Sequence, residues 1–141
     1  MGIAYVYRIR NVHTGYSYIG ATTWLLSRML GHSKNLRTIS SPYLKMQEDY
    51  CVYGAESFEL SVLAKCDSSI MFKVESEYIK HYRATSYLYN EKGNSGEGKY
   101  YEDLDSRASN NSIKVFTFKH NCLKTKLDKL AKECPVYLKL R

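Results

Sequence analysis

The chain predicts a small mixed α+β domain with a further helix and strand at its C-terminal end. Three observations lead there. Its 141 residues, 44% hydrophobic and 25% charged, suit one globular core with a small appendage. Short runs rich in Tyr, Val and Ile, or alternating apolar with polar residues, have the character of strands. Between and after them lie stretches with apolar residues three and four apart, flanked by capping and turn residues, as helices require.

Ile3 to Arg10 is rich in residues that suit a pleated surface, and Tyr16 to Gly20 follows as a second strand. Asn11-Val12-His13-Thr14-Gly15 supplies the turn between them, so the pair is a hairpin with a loop of five residues. Thr22 or Thr23 caps a helix to about Asn35 with Leu25, Leu26, Met29 and Leu30 as its stripe. Arg28 and His32, four apart, share one face of it. Ser40-Ser41-Pro42 opens a second helix, Tyr43 to Tyr53, which Gly54 ends. Phe58 to Val62 alternates as a half-buried strand. Asp67 or Ser68 caps a third helix, Ser69 to Arg83, and Asn90 to Gly98 is a glycine-rich loop. Tyr100 to Ser112 is polar and acidic, then small, and is expected to be a linker or surface excursion. Ile113 to Phe118 predicts a strand and Cys122 to Glu133 an amphipathic helix with Leu123, Leu127, Leu130 and Ala131 on one side. Pro135 follows, and Val136 to Leu140 alternates as a last short strand. The division expected is residues 1–96 as the main domain and 97–141 as linker and extension.

The net charge of +7 is unevenly placed. Residues 1–111 hold thirteen basic against twelve acidic residues, and residues 112–141 hold eight against two. Such a block favours a polyanion through counterion release, although a solvated lysine-rich helix face accounts for it equally well. Lys124, Lys126, Lys129 and Lys132 are the candidate phosphate contacts. No apolar run approaches the length of a membrane span, and Met1 to Tyr5 lacks the start of a secretory signal. The cysteines, Cys51, Cys66, Cys122 and Cys134, form no C-x-x-C pair. His120, Cys122 and Cys134 match no common zinc module, so free thiols in a reducing cytoplasm are expected.

Glu75 stands out on the third helix because Met71, Tyr78 and Ile79 are its neighbours three and four residues away. A carboxylate on that side is paired with a cation, bound to a metal, or held at a cleft rim; a rim salt bridge is the plainest of these. Glu77 points elsewhere as a solvated charge. Tyr5, Tyr7 and Ile9 share a face of the first strand, and Tyr16, Tyr18 and Gly20 a face of the second. A tyrosine cluster is ordinarily aromatic packing, whereas Gly20 at a strand exit suits close approach by a ligand backbone.

Tyr5-Val6-Tyr7, then Tyr18-Ile19-Gly20, then Glu75-Ser76-Glu77-Tyr78-Ile79 and Asn90 resemble, in order and spacing, the GIY-YIG nuclease family over residues 3 to 95. The resemblance implies a small antiparallel sheet flanked by helices. It also implies catalytic roles for Tyr7, Tyr18, Arg28, His32, Glu75 and Asn90. Glu75 would hold one Mg²⁺ or Mn²⁺, Arg28 would stabilise the phosphate, and Tyr7 would be the general base relaying its proton toward His32. Tyr18 would position water or phosphate, and Asn90 would brace the site. Tyr5 and Val6 depart from the family's glycine and isoleucine, and Ser40-Ser41 stand where some members carry a histidine.

The expected function is therefore a metal-dependent DNA endonuclease, of the homing type carried by phages and mobile elements, acting as a monomer or a transient dimer on DNA. A structure-specific repair nuclease, a restriction enzyme, a catalytically silent nucleic-acid-binding module and a protein-interaction domain are the competing readings.

Overall fold

The computed structural model describes residues 2–90, 112–134 and 137–139. Its centre is a sheet in the order β2-β1-β3-β4, built from β1 (Ile3–Asn11), β2 (Ser17–Thr22), β3 (Phe58–Asp67) and β4 (Ser112–Ile113). These four strands pair antiparallel, and β5 (Tyr137–Leu138) adds to β3 in parallel. The hairpin forms as expected. Asn11 closes its loop by accepting the backbone N–H groups of His13 and Thr14 on its side-chain oxygen, and Gly15 supplies the left-handed residue at φ 77°.

β3 runs to Asp67, five residues beyond the expected end at Val62. The reason is a bulge. Val6 pairs with Ala64 but Tyr7 with Val62, so Leu63 is the extra residue. Phe58, Leu60 and Val62 enter the core on one face, while Leu63, Ala64 and Cys66 enter it on the other. The alternation stops at the bulge although the strand does not.

Helices cover both faces. On the first lie α1 (Leu25–Arg37), α2 (Leu44–Tyr53) and α4 (His120–Lys132); Leu25, Met29, Leu36, Met46, Leu123, Leu127 and Leu130 pack there against Tyr7, Ile9, Tyr18 and Phe58. On the second lies α3 (Met71–Thr85), whose Val74, Tyr78, Ile79 and Tyr82 pack on Ala4, Val6, Ile19 and Leu63. Gly54 ends α2 at φ 83°, its N–H bonded to the Tyr50 carbonyl.

Several expected boundaries shift. Helix α1 begins at Leu25 because the Thr22 hydroxyl accepts the N–H of Trp24, making Trp24 the cap residue. A 3₁₀ turn, Ser68–Ile70, precedes α3, and the strand expected over Ile113 to Phe118 shortens to β4 followed by a 3₁₀ turn at Val115–Thr117. Val115 is buried there against the first face rather than in a ladder. Residues 91–98 of the expected loop, residues 100–111 of the expected linker, the division at residue 96, Pro135 and parts of the last strand fall outside the described residues, while Ser112, expected to end the linker, begins β4. The four cysteines form no disulfide, Cys66 and Cys134 being buried and Cys51 and Cys122 exposed. No group of three metal-binding side chains occurs among the described residues. Nor is any helix among them long and apolar enough to cross a membrane.

Candidate active site

The site lies at the free edge of β2, where the two helical layers meet. The segment at 87–90 runs along that edge: Ser17 donates to the Tyr87 carbonyl, and Tyr89 donates back to Ser17. Asn90 completes the ladder with its side chain. Its amide nitrogen donates to the Ile19 carbonyl at 2.8 Å, and its oxygen accepts the Ile19 N–H at 3.0 Å. One asparagine thus satisfies both edge groups of the residue next to Tyr18, leaving no bare strand edge there. Beside it opens a cleft of about 350 Å³ lined by Tyr18, Ile19, Pro42, Tyr43, Glu75, Ile79 and Asn90.

From the first face come four linked polar side chains. The Arg28 guanidinium donates through Nε to the Tyr7 hydroxyl and through a terminal nitrogen to the Tyr18 hydroxyl, each at 3.3 Å. Because Arg28 and His32 are one turn apart, His32 reaches the same place, its Nε2 3.1 Å from the Tyr7 oxygen. With Arg28 donating to that oxygen, the phenol donates to His32 Nε2 in the Nδ1–H tautomer and accepts from it in the Nε2–H tautomer. Burial dominates the electrostatics. It pushes Tyr7 up to about 12 and Tyr18 upward, both against the opposing pull of Arg28, while burial and Arg28 together bring His32 down to about 3. At neutral pH, then, His32 is uncharged and both phenols are protonated. Burial works against the Arg28 charge, but the two tyrosines outweigh it and hold its pKa above the usual range.

Glu75 approaches from the opposite layer. Partial burial raises its pKa, offset in part by a hydrogen bond from the Ala21 backbone N–H and by the charge of Arg28. Among the described residues neither Glu75 nor Arg28 forms an ion pair. A rim salt bridge is therefore absent there, and the carboxylate is left to the cleft.

Gly20 has an internal cause. It faces Tyr7 across the β1–β2 ladder, and an added Cβ would overlap the Tyr7 hydroxyl and ring and the edge of the Tyr18 ring. The absent side chain makes room for Tyr7 to cross the strand toward Arg28. The four lysines lie apart from the cleft on α4. Lys124, Lys129 and Lys132 are exposed, while Lys126 sits 4.8 Å over the Phe118 ring.

Six residues, distant in the chain, thus gather at one edge: Tyr7, Tyr18, Arg28, His32, Glu75 and Asn90. A family model described as the GIY-YIG catalytic domain matches residues 3–90. The chain belongs to the GIY-YIG family. As such it is an endonuclease, and its substrate is DNA. Among solved structures, the catalytic domain of intron endonuclease I-TevI superposes with a TM-score of 0.53 at 19% identity, over 70% of this chain and 99% of that one. That likeness concerns the fold, an antiparallel sheet between helices. No curated protein matches the chain.

Sequence reasoning missed Tyr43. It precedes α2, and its hydroxyl bonds that of Tyr18 at 3.1 Å, with the rings tilted at 4.7 Å between centroids. Burial pushes its pKa to about 12, with the Tyr18 hydrogen bond acting the same way. Nothing at Ser40-Ser41-Pro42-Tyr43 marks this residue out locally. The fold places it because Ser41 accepts the Tyr43 N–H, while Gln47 accepts the Ser41 N–H and donates to the Leu36 carbonyl, tying the start of α2 to the end of α1.

Proposed function

We propose that this GIY-YIG endonuclease is a metal-dependent phosphodiester hydrolase of the homing type, borne by a phage or other mobile element, acting on DNA as a monomer or transient dimer. One observation carries the reading of the site: among the described residues a cation, Arg28, is held by two protonated phenols and by no carboxylate, beside a cleft whose single carboxylate is Glu75. An anion is the missing partner of the first, and a cation that of the second.

The residues present suit one hard divalent ion. Mg²⁺ or Mn²⁺ accepts a site with one carboxylate when substrate phosphate and water supply the remaining ligands, and Glu75, half-buried at the cleft, is such a carboxylate. When bound, the ion would supply positive charge to the phosphate and its leaving oxygen. The protein's own groups do the rest. Arg28 presents its planar donors to the non-bridging oxygens, where added charge develops in the transition state. Tyr7 has no exposed surface. Its hydroxyl bonds Arg28 and His32, so Tyr7 and His32 hold and orient Arg28 in this arrangement. Tyr18 lines the cleft, touches Arg28 and is supported by Tyr43; it is the phenol placed to meet the attacking water. Asn90 holds the strand that carries Tyr18.

The homing assignment rests on the fold the chain shares with the catalytic domain of an intron endonuclease. A repair or restriction nuclease of the same family is the alternative. The test is supercoiled plasmid with Mg²⁺ or with chelator, using Glu75→Ala and, as its control, Glu77→Ala. Nicked or linear DNA from the native chain and Glu77→Ala with metal alone, and none from Glu75→Ala, is the expected pattern. Cutting in chelator, or full cutting by Glu75→Ala, would overturn it.

A further inference from the structure

The only tryptophan of the chain is placed where a core residue would not be. Trp24 is 66% exposed at the cap of α1, one turn ahead of Arg28, whose backbone N–H bonds the Trp24 carbonyl. It borders a second cleft, of about 200 Å³, between the start of α1 and α4. Tyr5 and Leu26 form its apolar wall with Leu127 and Ala131, and Lys124 and Asp128 stand at its border. An exposed indole next to an apolar slot is costly in water and is not part of the core formed by the described residues.

We infer that this cleft receives one unstacked base of the substrate strand, stacked on Trp24, with the neighbouring phosphate on Lys124. Shape and charge agree. The cleft accommodates a single planar heterocycle, and aromatic side chains bind bases of any sequence through their π-faces while a basic group tracks the backbone. Asp128, one turn from Lys124, repels phosphate, so the backbone is kept to the Lys124 side and the base is directed inward. Trp24 also shares α1 with Arg28. Holding a base there would fix the strand relative to the guanidinium that meets the phosphate, which is positioning rather than chemistry.

The inference rests on DNA being the substrate, and its test is separable from cleavage. Trp24 is its own reporter. In chelator, a fluorescein-labelled mixed-sequence 30-mer, single-stranded or duplex, is titrated with protein while anisotropy follows binding and indole emission follows Trp24. Binding should quench the emission, more strongly with the single strand, because its bases are already unstacked. Trp24→Ala should weaken single-strand binding about tenfold, Trp24→Phe should recover most of it, and Lys124→Gln should weaken it severalfold. Unchanged emission under conditions where anisotropy reports saturation would overturn the inference, as would native affinity in Trp24→Ala. Quenching by a protein that never nicks plasmid in Mg²⁺ would instead uphold the base site and refute the nuclease reading.

Discussion

Two tyrosine-centred polar clusters sit on the same face of the sheet, and they differ in how their charge is balanced. Around Arg28 gather Tyr7, Tyr18, Tyr43 and His32, all neutral at pH 7, at the edge of a cleft. Around Asp49 gather Tyr89, Thr14 and Lys45: both hydroxyls donate to one carboxylate oxygen, and Lys45 pairs with the other at 3.1 Å. Asp49 is 1% exposed and has its cation, so that cluster is closed; it pins α2 to the hairpin loop and to the segment along β2. The Arg28 cluster is open, since among the described residues its cation is bonded only to neutral oxygens. A matched buried charge organises structure, and an unmatched charge at a cleft awaits a ligand.

Exchanging the two centres should break the comparison most visibly. Arg28→Ala should reduce DNA cutting by at least roughly 10²–10³-fold, the scale of losing one transition-state donor, with the unfolding midpoint nearly unmoved. Arg28→Lys should not rescue it, because the planar fork is lost. Asp49→Ala should do the reverse, costing about 2–3 kcal/mol in denaturant melts through the hydrogen bonds to its charge, while folded protein still cuts. If Asp49→Ala matched Arg28→Ala in kcat at full folding, the division between the clusters would fail.

Within the open cluster, the two family tyrosines should separate. Tyr18→Phe should lower the rate roughly 10²–10⁴-fold as a proton-handling group at the cleft, and Tyr7→Phe should lower it less, since its hydroxyl only orients Arg28. Single-turnover rates measured at saturating DNA decide the order, and the reverse order would return the role of base to Tyr7.

A smaller effect concerns charges outside both clusters. Changing Lys124, Lys126, Lys129 and Lys132 to Gln should weaken binding while leaving cutting at saturation intact. Each phosphate that such a lysine no longer neutralises should flatten the salt slope by about 0.9. Lys126, lying on Phe118, should contribute least. A salt titration giving an unchanged slope would make α4 a structural cap with a solvated face.

A further effect is a pH dependence of stability. His32 in the folded chain titrates near 3 against about 6.5 unfolded, so below 6.5 the unfolded chain binds a proton that the folded one does not. Stability attributable to His32 is complete above about 6.5 and falls as the pH drops toward 3, by up to about 1.4 kcal/mol per pH unit. His32→Gln should remove that slope in melts taken between about pH 6.5 and 4; a slope equal to the native one would place the titration elsewhere.

Local pattern carried much of this. The tyrosine-rich first strand, the turn at Asn11 to Gly15, the stripe of α1 and the glycine after α2 each declare themselves within a few residues, since backbone conformation and burial period are local properties. The spacing from Tyr7 through Tyr18 and Arg28 to Glu75 and Asn90 declared the family in the same way. The far end of β3 was hidden because the bulge at Leu63 breaks the alternation that betrays a strand.

The sequence by itself determined the kind of domain, its family and the residue types of the site, since these follow from periodicity and ordered spacing along the chain. Only the tertiary structure decided that Tyr43 joins Tyr18, that Gly20 makes room for Tyr7, and that among the described residues Arg28 meets phenols where Asp49 meets a cation. Those outcomes depend on desolvation and on hydrogen bonds between residues brought together from distant parts of the chain, such as the 71-residue separation of Ile19 and Asn90. No local pattern encodes that geometry, because each partner's environment exists only once the helices have closed on the sheet.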